Sequence, residues 1–369
     1  MKFLTYITSA ILFAFFMAFT TAAPAQTPSP TPPPSDEGEV IKVNSKLIVV
    51  PVSVTNDVGE PVTGLTVKDF KLTEENRPQV IDNVGSADVV PLEIALLIDV
   101  SGSVNPIFEF EKSAAAQFLK SVMKPADRAT IFLIGDQPQV ALARQDATQA
   151  AERLQTVTIS GKYTAFYDTV SLAADYLRKN APKTSRRVIL ALTDGEDNWS
   201  NATRNAEIAT YRDVNVNNLT TEVRNQLAAK TDSAHRVAQA RIKRELQDAD
   251  TVFYAVNPAG ASYKLNRIST RAQNGLQSFA TETGGTAFTP SLQPLDTKDA
   301  LQNAGNAKKN EAALTQIFRQ LENELRAQYL VQYYSETDYP QDKFVKVGVS
   351  LTNPTGRKLR AREGYYVTR

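Results

Sequence analysis

The chain has 369 residues, with 41 Lys and Arg against 40 Asp and Glu, one His and no Cys. That length accommodates about two domains with proper cores, and the even charge balance gives no ground for nucleic acid or an anionic membrane surface as partner. The absence of cysteine excludes disulfides, thiolate metal sites, a cysteine nucleophile and a lipidated cysteine, and a single His thins out ordinary acid–base chemistry.

The first segment reads as an export signal. Lys2 precedes an apolar run at 3–19, and Ala23-Pro24-Ala25 supplies a small-x-small cleavage site before Gln26. An uncleaved anchor is the competing reading, because the run is nearly long enough to span a bilayer. Thr27-Pro28-Ser29-Pro30-Thr31-Pro32-Pro33-Pro34-Ser35 follows as an extended spacer that cannot pack a core.

From Lys46 the pattern is strand-like: Val50, Val52 and Val54 alternate with Pro51, Ser53 and Thr55 before a turn at Asn56-Asp57-Val58-Gly59. Phe70 and Leu72 continue the alternation until Glu75-Asn76-Arg77-Pro78 breaks it. The other end of the chain has the same style, with Val345, Val347, Val349 and Leu351 alternating with Lys346, Gly348 and Ser350, then a turn at Asn353-Pro354-Thr355-Gly356 and a last short strand. Neither end has enough strands to bury a face alone. The two ends are therefore expected to pair into one small antiparallel β-domain with the middle of the chain inserted between them. The expected boundaries are 1–25 for the signal peptide, 26–38 for the linker, 39–88 and 328–369 for the two parts of the β-domain, and 89–327 for the domain between.

That middle alternates strands and helices. Ile94-Ala95-Leu96-Leu97-Ile98 is apolar throughout, the mark of a strand covered on both faces, and 130–134, 188–192 and 252–256 look the same. Helices are expected at 107–122, 147–154 and 166–177, with a long one ending near Gln247 and a last one at 312–325 carrying Leu314, Ile317, Leu321 and Leu325 on one stripe. The fold class expected is α/β: a doubly wound, mostly parallel sheet flanked by helices, inserted into the β-domain. The stretch 198–250 is longer than such a unit needs; its charged, Ala-rich part reads as a solvated surface helix, with a wall or lid beside the site as the alternative. His235, within it, reads as a surface residue. The polar stretch 297–311 reads as a mobile loop.

Ligands of open parallel sheets gather at the carboxyl ends of the strands. There the sequence has Asp99-Val100-Ser101-Gly102-Ser103 after the first apolar strand and Thr193-Asp194-Gly195-Glu196-Asp197 after a later one. Alternate spacing at Asp99, Ser101 and Ser103 lets a turning loop aim three oxygens at one point, with Gly102 easing the bend. Such hard oxygen donors suit Mg²⁺, Mn²⁺ or Ca²⁺. Helix caps and an Asp-Gly turn would explain either motif alone, but not both in this order.

Asp99-x-Ser101-x-Ser103, then Thr164 in Gly161-Lys162-Tyr163-Thr164-Ala165-Phe166-Tyr167-Asp168, then Asp194 in Leu192-Thr193-Asp194-Gly195, resembles the metal-ion-dependent adhesion site of von Willebrand factor A domains. The resemblance spans about 91–326. The flanks, including Leu47-Ile48-Val49-Val50-Pro51-Val52-Ser53-Val54, Asp69-Phe70 and Arg362-Glu363-Gly364-Tyr365-Tyr366, are similar to exported bacterial proteins with von Willebrand-related domains, described mainly from acidobacteria. The resemblance implies that Ser101, Ser103 and Thr164 give hydroxyls to a divalent cation, Mg²⁺ first with Mn²⁺ or Ca²⁺ also compatible, and that Asp99 and Asp194 act directly or through water. It further implies an open position that a Glu or Asp carboxylate of a protein ligand completes.

An enzyme is the minority reading. No Gly-x-Ser-x-Gly elbow surrounds Ser101, no phosphate loop is present, and Glu196 and Asp197 read as loop acids that tune the charge of the site rather than as a general base. A scaffold in which the metal merely staples the sheet edge is the main alternative, with a metal-dependent hydrolase behind it. Oligomeric state leaves no readable sign.

Overall fold

The computed structural model of the protein describes residues 45–101, 108–160, 163–212, 214, 220–258, 266–295 and 297–367. The expected signal peptide and linker lie outside these residues, as do Gly102, Ser103, Gly161 and Lys162 of the site loops and the Asn215–Asn218 part of the insertion.

The described residues open with four strands, β1 (Lys46–Asn56), β2 (Phe70–Glu74), β3 (Arg77–Gln79) and β4 (Asn83–Ser86). Asn56 closes the turn after β1 by accepting the N–H groups of Val58 at 3.1 Å and Glu60 at 2.8 Å on its side-chain oxygen. Glu75 and Asn76 both sit at positive φ (48° and 63°), the two-residue geometry that suits the twist of a hairpin between β2 and β3.

The parallel unit follows: β5 (Leu92–Asp99), α1 (Phe108–Val122), β6 (Arg128–Ile134), β7 (Gln139–Gln145), α2 (Ala147–Gln155), α3 (Phe166–Asn180), β8 (Arg186–Leu192), α4 (Asn201–Tyr211), α5 (Thr221–Asp248), β9 (Thr251–Val256), α6 (Arg267–Thr283), β10 (Ala287–Phe288) and α7 (Ala300–Arg326). The chain closes on β11 (Tyr329–Ser335), β12 (Phe344–Leu351), β13 (Arg357–Ala361) and β14 (Gly364–Tyr366).

The sheet order β10-β9-β8-β5-β6-β7 puts β5 at the centre, parallel to β6 and β8, with only β7 antiparallel at one edge. Strand periodicity then divides the core. Ile94, Leu96 and Ile98 of β5 pack with α1, α2 and α7 on one face, while Ala95 and Leu97 pack with α3, α5 and α6 on the other. This is the α/β architecture expected from the fully apolar strands.

The strands from the two chain ends share two antiparallel sheets, β13-β1-β11-β4 and β14-β12-β2-β3. β1 pairs with β11 in the register Val50↔Val331, and β2 pairs with β12 in the register Leu72↔Val349. Val50, Val52, Phe70, Leu72, Val331, Tyr333, Val345 and Val347 fill the space between them.

Three local expectations are corrected. The stretch 297–311 is not a loop, because α7 begins at Ala300, capped by Asp299, whose carboxylate accepts the N–H groups of Leu301 and Gln302. Its first half is anchored by amides instead of apolar side chains: Asn306 donates to Pro294 O at 2.7 Å and Asn310 to Gln293 O at 2.8 Å. The helix α5 is not merely a solvated surface element, since it buries Leu227, Ala238, Ile242 and Leu246. His235, expected at the surface, is 1% exposed on the same face of α5. α6 has no counterpart among the helices expected from the sequence, although Asn266 caps its start and Gly284 ends it in the left-handed region at φ 86°.

Candidate functional site

The loops after β5 and β8 leave the same edge of the sheet. The strands are parallel, with Ile98 opposite Leu192, so Asp99 and Thr193 emerge side by side. The Thr193 hydroxyl donates to Asp99 Oδ2 at 2.8 Å, and the Ser101 N–H donates to Asp99 Oδ1 at 3.0 Å. Next along the second loop, Gly195 N–H donates to Thr193 Oγ1 at 3.1 Å and Glu196 N–H to Asp194 Oδ1 at 2.9 Å. Gly195 has φ 80°, and a Cβ there would meet Leu276 Cγ at 2.7 Å, so both backbone and packing require glycine.

The loop before α3 completes the arrangement. Ala165 N–H reaches Gly135 O at 2.8 Å just beyond β6. Thr164 N–H donates to Asn198 Oδ1 at 2.8 Å. The N–H groups of Asn198 and Trp199 return to Thr164 O, each at 3.1 Å. Asp99, Ser101, Thr164 and Asp194 thus stand on three loops tied to one another at one edge of the sheet, with Ser101 and Thr164 buried. Ser103, the fifth position of the motif, lies outside the described residues.

Electrostatics distinguishes this edge from ordinary loop capping. Burial raises the Asp99 carboxyl, against the hydrogen bonds of Ser101 and Thr193 that lower it. Burial pushes Asp194 up to about 6, and the negative charges of Asp99 and Glu196 add to the rise. A third acid, Glu111 in the first turn of α1, was missed by the sequence reading. It is 7% exposed, and burial together with the charges of Asp99 and Asp194 pushes it up to about 8. Among the described residues the charges that act on Asp194 and Glu111 are negative, and the Glu196 N–H opposes the rise at Asp194. An isolated run of sequence could not have exposed Glu111, because Phe108, Lys112, Ala115 and Leu119 define the buried face on which it sits only once α1 is docked.

The two acids expected to tune charge separate in role. Glu196 acts on Asp99 and Asp194 and accepts a hydrogen bond from Ser269 Oγ at 3.1 Å. Asp197 is buried and structural: its carboxylate accepts the hydroxyls of Ser200 and Thr203 and the N–H of Tyr167, joining the start of α4 to α3. On the rim, Tyr163 stacks on Trp199 at 4.0 Å, and the Arg204 guanidinium lies 5.1 Å from the Trp199 ring.

The donor set fits a hard divalent cation. The side chains of Asp99, Asp194, Ser101 and Thr164 offer only oxygen, and among the described residues no cation acts on the clustered carboxyls of Asp99, Asp194 and Glu111. Among the described residues no group of three or more His, Cys, Asp or Glu side chains is placed to hold a metal. An ion at this edge therefore depends on the hydroxyls as much as on the carboxylates.

Residues 94–196 match the family model of the von Willebrand factor type A domain. No curated protein matches the chain. Among solved structures, the chain is similar to an aerotolerance-related membrane protein from Bacteroides fragilis, at 16% identity and TM-score 0.34, covering 61% of this chain and 99% of that one. It is similar to proximal thread matrix protein 1 from the mussel byssus, solved with a zinc-occupied MIDAS motif, at 12% identity and TM-score 0.40, over 69% of this chain and 50% of the mussel one. It is also similar to the SpRpn10 VWA domain, at 14% identity and TM-score 0.36, over 59% of this chain and 95% of that one.

Proposed function

Because this chain carries a von Willebrand factor type A domain at its centre, we propose that it is an exported binding module that captures a protein ligand through a divalent cation. Domains of this family serve mainly as adhesion or interaction modules, commonly through such an ion. Asp99, Ser101, Ser103, Thr164 and Asp194 hold the cation, Mg²⁺ in the first instance. Residues 1–25 direct export and 26–38 space the folded part from the site of cleavage or anchorage.

The observation that carries this reading is the pairing of Asp99 and Asp194 at one sheet edge, each raised by burial, with like charges added and a hydroxyl on each adjoining loop. Where neutral hydroxyls dominate the donors and Asp99 and Asp194 act partly through water, a divalent ion would keep uncompensated charge. Such an ion would supply an electrophilic position suited to a Glu or Asp carboxylate of the partner. The chain's own part is to hold that position open, with Thr193 fixing the Asp99 carboxylate and Asn198 fixing the backbone at Thr164.

Calorimetric titration of Mg²⁺, Mn²⁺ and Ca²⁺ into the purified protein, beside Asp99→Ala, tests the reading. One ion bound by the native chain and lost in a folded Asp99→Ala is the expected result. Absence of binding to the native chain overturns it.

A further inference from the structure

A cavity of 330 Å³ lies at the opposite end of the parallel sheet, between the amino ends of β8 and β9 and the outer face of the β13-β1-β11-β4 sheet. It arises from strand alternation. Ile48, Val50 and Val52 of β1 point into the sandwich core, so Val49 and Pro51 face away from it, as Leu330 does on β11. Val252 forms part of the opposite wall. The volume lies within the roughly 300–1,000 Å³ usual for small-molecule sites, which favour junctions between structural units.

The charge of the lining is one-sided. Lys183, Arg186, Arg187 and Arg362 line the cavity against a single acid, Asp250, which is 69% exposed and engaged by Arg362 at 2.6 Å. Arg187 is the under-used cation. Among the described residues it makes one hydrogen bond, from Nη1 to Ala249 O at 2.9 Å, and its Nε is buried without a partner. Arg362 likewise buries Nε without a partner, although its terminal nitrogens reach Asp250 and Val49 O. A half-buried guanidinium with open donor capacity favours an anion, and carboxylate is the planar partner that matches its fork. The apolar walls ask for a hydrocarbon body attached to that anion.

We propose that this cavity binds a small aliphatic carboxylate, with the carboxylate on Arg187 and the chain along Val49, Val252 and Leu330. The inference is independent of the cation site, which lies at the other end of the same sheet.

The test is titration of the full chain with octanoate, acetate and octanol, beside Arg187→Gln and Val49→Trp, with circular dichroism as the check on folding. Octanoate should bind saturably at one per chain, and acetate and octanol at least tenfold more weakly. Arg187→Gln should lower octanoate affinity at least tenfold while leaving octanol unchanged, and Val49→Trp, which fills the cavity, should abolish octanoate binding. If Arg187→Gln fails to fold, Val49→Trp decides the matter alone. Octanoate that fails to saturate the native chain, or binds equally well to either folded variant, overturns the proposal.

Discussion

The hydroxyl of Thr193 donates to Asp99 Oδ2 at 2.8 Å, joining the end of β8 to the end of β5 by a single side-chain bond. The same oxygen accepts the Gly195 N–H at 3.1 Å, so one buried atom orders both loops of the site. Thr193→Val preserves the shape but removes donor and acceptor together. It leaves Asp99 with one hydrogen bond fewer and the Gly195 N–H unpaired. The expected cost is about 1–3 kcal/mol, measured by urea denaturation without divalent ions. Ion affinity should fall in the same variant. A stability within a few tenths of the native value would show that the bond holds neither loop.

Glu111 gives the metal-free protein a distinctive pH dependence. Its folded value of about 8 stands above the ordinary 4.5, so the folded chain retains a proton that the unfolded chain has lost. Stability therefore falls as pH rises from about 4.5 to about 8, by as much as about 5 kcal/mol. Glu111→Gln should flatten this slope and make the chain more stable than native at pH 8. Saturating Mg²⁺ should also flatten it, because a cation favours the ionised carboxyl. Melting temperatures across pH 5–8, with Mg²⁺ and with a chelator, read both effects. Identical slopes for native and Glu111→Gln would remove Glu111 from the account.

The parts of this fold legible in the sequence were those where one local pattern had one meaning. Ile94–Ile98 is apolar on both faces because helices cover both faces, and the alternation at Val50–Val54 marks a strand covered on one side. The positions of Asp99 and Asp194 were equally readable, since Asp99 ends one apolar strand and Asp194 stands two residues beyond another. What escaped depends on contacts distant in sequence. The start of α7 is held by the Asn306 and Asn310 amides, which leave no apolar period to detect. Glu111 and His235 look like surface residues in charged stretches until helix packing turns them inward.

His235 provides a direct check on that packing. Its Nδ1 lies 3.3 Å from the Tyr167 hydroxyl, which also accepts a hydrogen bond from Gln239 at 3.0 Å. Burial, aided by Arg271 and opposed by Asp232, pulls the imidazole down to about 4. A folded value below the ordinary 6.5 means that the contribution to stability is full above pH 6.5 and is lost as pH falls toward 4. The loss amounts to at most about 3 kcal/mol. The chain has one histidine, so a single ring resonance followed by NMR reports it without ambiguity. A midpoint below 5 is expected in the folded protein; one near 6.5 would place the ring in solvent and α5 in a different register.

Glu74 supports the sandwich and makes no ion pair among the described residues. It is 1% exposed. Tyr333 and Tyr365 donate to Oε1 at 2.8 and 3.0 Å, and Ser335 and Tyr339 donate to Oε2 at 3.0 and 3.3 Å. Four hydroxyls thus replace the hydration shell of one buried carboxylate, three from β11 and β14 and one, Tyr339, from the loop between β11 and β12. Because the donors share one acceptor, the energies of the members are coupled. Tyr333→Phe should cost about 1–3 kcal/mol, and Glu74→Leu about 3 kcal/mol or more, since it strands several buried hydroxyls at once. The double variant should cost less than the sum by about 1 kcal/mol or more, because the Phe has no hydroxyl left to strand. Equilibrium unfolding of the four proteins closes that cycle, and strict additivity would mean that the Tyr333 hydroxyl and Glu74 stabilise the sandwich separately.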